Sequence, residues 1–267
     1  MKTCDTPSSI QTRGILQIVV LMLTVLWSQS RCEAAFHDWY ITEVYSSADG
    51  TVQFIEMTAN SAGQGLFHSF GNNPALRSTN SAGVSVFNIS TDVASVTAGK
   101  SLIFGTSNLT SIPGGVTPDF IIPPNFVRRP TPGSSATVKF DPSFYATPIY
   151  TSLPEDGDLA LARVGGSASS TFTNSVNSPK NFNNQSNTII PVRFLSDQIE
   201  DGNIVVSFKT ATGVNGSAGP DYTVEYQDSI GDLNWISNTT VGGNGTIRSV
   251  TNTITDSDQR FYRLRVP

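Results

Sequence analysis

The sequence predicts an all-β protein with two antiparallel β-sandwich domains of immunoglobulin-like type, preceded by a cleaved signal peptide. Charged residues make up only 14% of the 267 residues, whereas Gly, Ser, Thr and Asn are abundant. No window combines good helix formers with apolar residues at helical spacing. Short runs rich in β-branched and aromatic residues recur instead, separated by turn-forming residues. Strands spaced in this way are typical of sandwiches.

The first 35 residues have the pattern of a secretory signal peptide. A short, mildly basic start is followed by an almost unbroken apolar run, Ile15–Trp27. This run is shorter than the roughly 20 residues that cross a bilayer. Small residues then offer a cleavage site after Ala34 or Ala35. We therefore expect a secreted or cell-surface protein, extracellular or periplasmic, without a membrane span.

Both cysteines, Cys4 and Cys32, lie within this predicted signal peptide. Lipid attachment at Cys32 is disfavoured, because Arg31 stands where lipoprotein signals need a small residue. The mature chain is therefore expected to have no disulfide. Each domain must then be stabilised by burial of its own apolar core.

Two groups of strands are separated by a polar segment. The first group is predicted to span 39–46, 51–58, 83–88, 101–106, 136–140, 159–164 and 171–174. The second group is predicted to span 192–195, 204–209, 222–227, 234–237, 247–252 and 260–266. Between them, the segment 174–190 is Asn-rich and contains Pro179, which predicts a domain boundary near Asn187. The predicted domains are thus 36–187 and 188–267, the second one of immunoglobulin or fibronectin type III size.

One predicted hairpin places two carboxylates opposite each other. In YITEVYSSADGTVQFIEMTAN, residues 40–60, two apolar runs flank Asp49-Gly50, a strong signal for a two-residue turn. Such a turn pairs Glu43 with Glu56, with Cβ atoms about 5 Å apart. Opposed like charges are unfavourable, so the pair must share a proton, hold a cation, or turn toward water or an Arg.

The pair has two interpretations. Retaining glycoside hydrolases also hold two carboxyl groups about 5 Å apart, so Glu43 and Glu56 are candidate catalytic residues. The alternative is a sheet position whose carboxylates accept hydrogen bonds from the backbone or an Arg. We favour this structural interpretation, because close carboxylates also occur in structural networks. It assigns no residue a catalytic, cofactor-binding or metal-binding role.

The same hairpin resembles the opening of lamin-tail-like domains of secreted bacterial proteins, which begin with an "I-x-E-V … I-E-L" pattern. Later pieces also resemble these proteins: TAGKSLIFGT (97–106), PDFIIPPNF (118–126) and LPEDGDLALARVGG (153–166). The resemblance covers most of 36–187. It implies an immunoglobulin-like sandwich that serves as an accessory or binding module, in which such glutamates are structural.

The second half resembles a C-terminal β-module of large secreted bacterial proteins, with the pattern "Y-x-V-x-x-S-x-x-L-x-x-W … R-F-Y-R-L". The matching positions are Tyr222, Val224, Leu233, Trp235 and 260–264. Leu233 and Trp235 alternate onto one face, as do Tyr222 and Val224, so we expect all four in the core. An exposed Trp235 would instead suggest a platform for stacking sugars.

Candidate metal ligands are few and scattered. His37 and His68 are the only histidines, and neither lies in a zinc-binding motif. The acidic turn 155–158, and Asp256 with Asp258, offer oxygen ligands for calcium but lack EF-hand spacing. Acidic turns between strands are usually solvated. We therefore expect no metal and no cofactor.

Charge argues against one class of partner. The net charge is −5, from 16 basic and 21 acidic residues, without a basic stripe. Nucleic acid is therefore not an expected partner. Arg263 and Arg265 share one face of the last predicted strand, which indicates an edge strand protected by charge from sheet-to-sheet pairing.

These observations favour a non-catalytic protein that binds, adheres or provides a scaffold at the cell exterior. Its expected partner is an extracellular ligand such as a polysaccharide or a surface protein. Two alternatives stay open. A carbohydrate-binding module would show an exposed planar row of aromatic residues. A glycoside hydrolase would need Glu43 and Glu56 in an open cleft.

Overall fold

The computed structural model describes residues 37–68, 74–141, 143–231, 233–254 and 259–267. The predicted signal peptide, its cleavage site, and Asp256 with Asp258 lie outside the described residues. Within them the chain is all-β, as the sequence predicts, with sixteen strands and two short 3-10 turns. None of the described residues belongs to a helix long and apolar enough to cross a membrane.

The strands form two groups along the chain. The first group contains β1 Trp39–Ser46, β2 Gln53–Ala59, β3 Ala75–Asn80, β4 Gly83–Asn88, β5 Ser101–Gly105, β6 Phe120–Ile121, β7 Ala136–Phe140, β8 Ile149–Tyr150, β9 Leu159–Arg163 and β10 Phe172–Val176. The second group contains β11 Phe194–Glu200, β12 Asn203–Lys209, β13 Asp221–Gln227, β14 Ile236–Gly242, β15 Ile247–Thr253 and β16 Phe261–Arg265.

The first group builds a β-sandwich from a six-stranded and a four-stranded sheet. The six-stranded sheet has the order β10-β9-β1-β2-β5-β6, and the four-stranded sheet has the order β4-β3-β7-β8. Neighbouring strands are antiparallel except β5 and β6. Alternate residues of both sheets turn inward and form one apolar core, which includes Trp39, Ile55, Phe104, Leu76 and Phe140.

The second group builds a smaller sandwich from two three-stranded sheets, ordered β11-β12-β15 and β14-β13-β16. Both sheets contribute to its core, which contains Val206, Phe208, Tyr222, Val224 and Val250. No strand is shared between the two groups. Residues Ala35–Pro267 nevertheless form one compact unit.

Candidate functional site

Glu43 and Glu56 are direct partners across β1 and β2, as the sequence predicts. The neighbouring pair, Tyr45 and Phe54, follows the same register. A β-bulge between Ile41 and Glu43 shifts the pairing before this point. The predicted register is therefore confirmed where the two carboxylates face each other.

The turn that sets this register differs from the predicted one. Ser47 N donates to Val52 O at 2.8 Å, so four residues form the loop. Gly50 has a positive φ of 70°, but Asp49 does not. A two-residue type I′ turn needs positive φ at both positions, so that prediction is wrong. The register survives because the longer loop is centred on the same two residues.

Both carboxylates are buried, with 4% of Glu43 and 7% of Glu56 exposed. Ile55 and Met57 on β2 face the main core, so Glu56 between them faces the other side of the sheet. Residues 177–191, here called the covering segment, pass over that side. The pair is therefore closed off from solvent and does not line an open cleft.

The covering segment donates hydrogen bonds to both glutamates. Ser178 binds Glu43 through its backbone N at 2.9 Å and its hydroxyl at 3.1 Å, one to each carboxylate oxygen. The backbone N of Lys180 donates to Glu56 Oε2 at 2.9 Å. The other oxygen of Glu56 accepts bonds from the hydroxyls of Ser101 at 2.8 Å and Thr42 at 3.2 Å. Each carboxylate thus holds the segment against the sheet.

Burial disfavours the charged form of both groups. It is the largest cause that raises the pKa of Glu43 to about 8, and repulsion from Glu56 adds to the rise. Burial likewise raises the pKa of Glu56 to about 7, against the opposing effect of hydrogen bonds from Ser101, Lys180 and Thr42. Like-charge repulsion, the cause expected from the sequence, contributes less than desolvation.

The covering segment, which overlaps the Asn-rich stretch 174–190, is packed against the sheet. Asn177 is completely buried, and its side chain bonds both the backbone N of Ile189, at 2.7 Å, and its O, at 3.1 Å. Opposite the segment, Gly114 has φ +82°, and a Cβ there would lie 1.8 Å from Thr188 O. The side chain of Asn177 thus takes the place of backbone hydrogen-bond partners for Ile189. This allows a segment of polar composition to be buried.

A second feature, here called the aromatic strip, lies on the first sandwich. Its ring centroids follow one another at 5.0 Å (His37–Phe144), 4.8 Å (Phe144–Tyr145) and 5.4 Å (Tyr145–Tyr40). Phe144 is 66% exposed. Successive rings are inclined by 54°, 46° and 65°, so they form a stepped row and not a planar one.

Arg163 extends the strip between Tyr40 and Phe172. Its guanidinium lies 5.6 Å from the ring centroid of Tyr40 and 4.6 Å from that of Phe172. It also donates to the backbone O of Ile41 at 2.7 Å and of Ala146 at 2.6 Å. Sequence reasoning missed the strip, because its residues are far apart in the chain and share no local pattern.

The residues that match the C-terminal module divide into two groups. Tyr222 and Val224 are fully buried, as expected. Leu233 is 93% exposed, so its expected place in the core is wrong. It lies in the loop before β14, where no facing sheet covers it. Trp235 is half-buried, and the guanidinium of Arg263 lies 4.3 Å from its ring centroid.

The acidic turn after β8 is satisfied by arginines and backbone amides. Arg129 pairs with Glu155 at 2.6 Å, and Arg193 pairs with Asp158 at 2.5 Å. Asp156 Oδ1 accepts the backbone N of Asp158 at 3.0 Å. No group of three His, Cys, Asp or Glu residues within the described ranges is arranged to hold a metal ion.

The last strand is an edge strand, as the sequence predicts. Strand β16 lies at one side of its sheet and pairs only with β13. Arg263 and Arg265 both donate to the buried Glu225, at 2.7 Å and 2.8 Å. The two arginines are thus anchored to one carboxylate on the neighbouring strand.

Comparisons of the sequence with family models and with curated proteins give no family for this chain. No family model matches the sequence, and no curated protein matches it significantly. Any function must therefore be argued from the residues and their geometry.

Proposed function

We propose that the protein is a secreted, non-catalytic binding, adhesion or scaffolding protein at the cell exterior. The signal-peptide pattern of residues 1–35 supports the location. The resemblance of 36–187 to lamin-tail-like modules supports a role in binding.

The observation that carries this proposal is the aromatic strip. Exposed contiguous apolar patches on soluble proteins mark interaction sites. Phe144 exposes most of its ring, and Tyr145 beside it keeps a polar tip that accepts a hydrogen bond from Asn60 at 3.2 Å. Aromatic faces combined with polar tips suit ligands that have both apolar faces and hydroxyl groups.

The same strip favours a carbohydrate as the ligand, which is the second candidate function. The apolar face of a sugar ring would stack on Phe144, while Asn60 offers an exposed amide for its hydroxyls. The inclined rings argue against a flat crystalline polysaccharide surface, which needs coplanar rings. A soluble, bent glycan chain fits a stepped row better.

The glycoside hydrolase alternative has little support from the geometry. Hydrolysis requires both carboxyl groups to reach the glycosidic bond. Glu43 and Glu56 are instead engaged by Ser178 and Lys180 of the covering segment. A sugar would reach them only if this segment left the sheet.

A glycan array with the protein starting at Phe36 tests the proposal. We expect binding to soluble glycans that falls about fivefold in Phe144→Ala, since one aromatic stacking contact contributes on the order of 1 kcal/mol. Leu233→Ala removes another exposed apolar side chain and serves as the matched control. Unchanged binding in Phe144→Ala would exclude the aromatic strip as the glycan-binding site. Cleavage of a glycan that is abolished by Glu43→Gln would support the glycoside hydrolase alternative.

A further inference from the structure

A cavity of about 440 Å³ opens beside the β1–β2 hairpin, on the same side of the sheet as the covering segment. We call it the hairpin cavity. Tyr45 and Val52 line it from the β1–β2 hairpin, Ile112 from the loop after β5, and Ile189 and Val192 from the chain that leads to β11. The acidic turn 155–157 contributes as well, so the lining is mainly apolar and comes from four separate parts of the chain.

The inner wall of the cavity is firmly held. The ring of Tyr45 stacks on Phe54 with a centroid distance of 5.1 Å and an angle of 12°. Its hydroxyl donates to Gly157 O at 3.1 Å. Pro191 packs so closely on Gly157 that a Cβ there would lie 2.7 Å from the proline ring. A wall held in this way favours a preformed site.

Acidic residues line the mouth of the cavity. Asp49, Glu155 and Asp156 belong to its lining, whereas no Lys or Arg does. Hydrogen bonds from the Ser47 hydroxyl and from Thr51 hold the pKa of Asp49 below its usual range, so Asp49 is charged at neutral pH. Arg129 pairs with Glu155, and Arg193 donates to the backbone O of Asp156 at 2.9 Å while it pairs with Asp158. Among the described residues, the carboxylates of Asp49 and Asp156 are the ones at the mouth without an ion-pair partner.

We propose that the hairpin cavity binds a small amphipathic cation, with its apolar body inside and its amino group between Asp49 and Asp156. The volume lies within the range of about 300–1,000 Å³ that is usual for small-molecule sites. The apolar lining disfavours sugars, whose hydroxyls would lose hydrogen bonds to water. The acidic mouth attracts a cation and repels an anion.

This site is separate from the aromatic strip. None of the strip residues lines the hairpin cavity. The cavity can therefore bind its ligand whether or not the protein also binds a glycan. Cation binding in the hairpin cavity and glycan binding at the aromatic strip can therefore be measured and disproved separately.

Three probes of the same shape test the role of charge. They are 2-phenylethylamine, 2-phenylethanol and 3-phenylpropionate, each titrated into the ¹⁵N-labelled protein and followed by NMR. We expect the amine to bind about tenfold more tightly than the alcohol. The propionate should bind most weakly, and shifts should centre on Val52 and Val192. Equal affinities for all three probes would overturn the charge-based proposal.

Variants of the lining locate the site. Ala48→Trp places a large ring at the mouth and should abolish binding of the amine, whereas Ala62→Trp, at an exposed position outside the cavity, should not. Asp49→Asn should weaken amine binding about tenfold and leave the alcohol unchanged. The matched control is Asp197→Asn on β11. Amine binding that survives Ala48→Trp, or that falls equally in Asp197→Asn, would overturn the proposal.

Discussion

Glu43 and Glu56 stand opposite each other on neighbouring strands, and the covering segment donates one backbone N–H to each of them. A protonated carboxyl still accepts that N–H through its carbonyl oxygen. Its O–H can then donate to a nearby hydroxyl, that of Ser178 for Glu43 or Ser101 for Glu56. The folded protein therefore accommodates the neutral pair well, whereas two buried charges repel each other.

The first prediction concerns pH. Folding raises the pKa of Glu43 from 4.5 to about 8 and of Glu56 from 4.5 to about 7. The folded state thus binds more protons than the unfolded state, and the free energy of unfolding falls as pH rises. The stabilisation is complete below pH 4.5 and is lost by about pH 8. We expect a decrease on the order of a few kcal/mol over this range.

Urea unfolding at several pH values measures this decrease. In a Trp235→Phe background, Trp39 reports on the first sandwich, since the third tryptophan lies in the predicted signal peptide. Glu43→Gln should flatten the pH dependence and raise stability at pH 8, because its amide can donate to Ser178 Oγ. Glu200→Gln, at an exposed position, is the control. Stability that increases from pH 5 to pH 8 would contradict the prediction.

The carboxylate pair shows how far sequence reasoning reaches. The pairing follows from local information, because a hairpin register depends on residues close in the chain. The burial of the two glutamates does not follow from local information, since it depends on a segment more than a hundred positions away. Ser178 and Lys180 lie in an Asn-rich stretch whose composition is typical of a linker. Only the fold shows that Asn177 and its neighbours replace missing backbone partners.

The second prediction concerns the covering segment. Asn177→Ala leaves the buried backbone groups of Ile189 without partners, and we expect it to lower the free energy of unfolding by about 2–4 kcal/mol. Limited proteolysis should then cut within 177–191, where the unchanged protein resists. Asn174→Ala, at an exposed position on β10, should alter neither property. Equal cleavage of both variants and the unchanged protein would show that Asn177 does not secure the segment.

Several strands were missed or misplaced from the sequence because they lack the periodic apolar pattern that predicts a strand. Strand β3, ALRSTN, has a polar composition, yet its Ser78 is completely buried and accepts a hydrogen bond from the backbone N of Arg128 at 2.8 Å. Strands β6 and β8 have two residues each, too few for a periodic pattern. Strand β11 begins at Phe194, later than predicted, because its mainly exposed residues lack apolar alternation.

The third prediction concerns export. The apolar run Ile15–Trp27 predicts that a signal peptidase removes the first 34 or 35 residues. The intact mass of the exported protein should correspond to a chain that begins at Ala35 or Phe36. Replacement of Leu21 by Arg should interrupt the apolar run and leave the full-length chain inside the cell. An exported species that retains Ile15–Trp27, or a lipid on Cys32, would contradict the prediction.

The last prediction concerns Arg163, which joins the aromatic strip to the sheet. Lysine keeps the positive charge but cannot bond the carbonyl groups of Ile41 and Ala146 while lying flat between two rings. Arg163→Lys should therefore lower the free energy of unfolding by about 1–3 kcal/mol. It should also displace the loop that carries Phe144 and weaken glycan binding. The control, Arg248→Lys on β15, should change neither stability nor binding. If Arg163→Lys were as stable as the unchanged protein and bound glycans equally well, Arg163 would not position the strip.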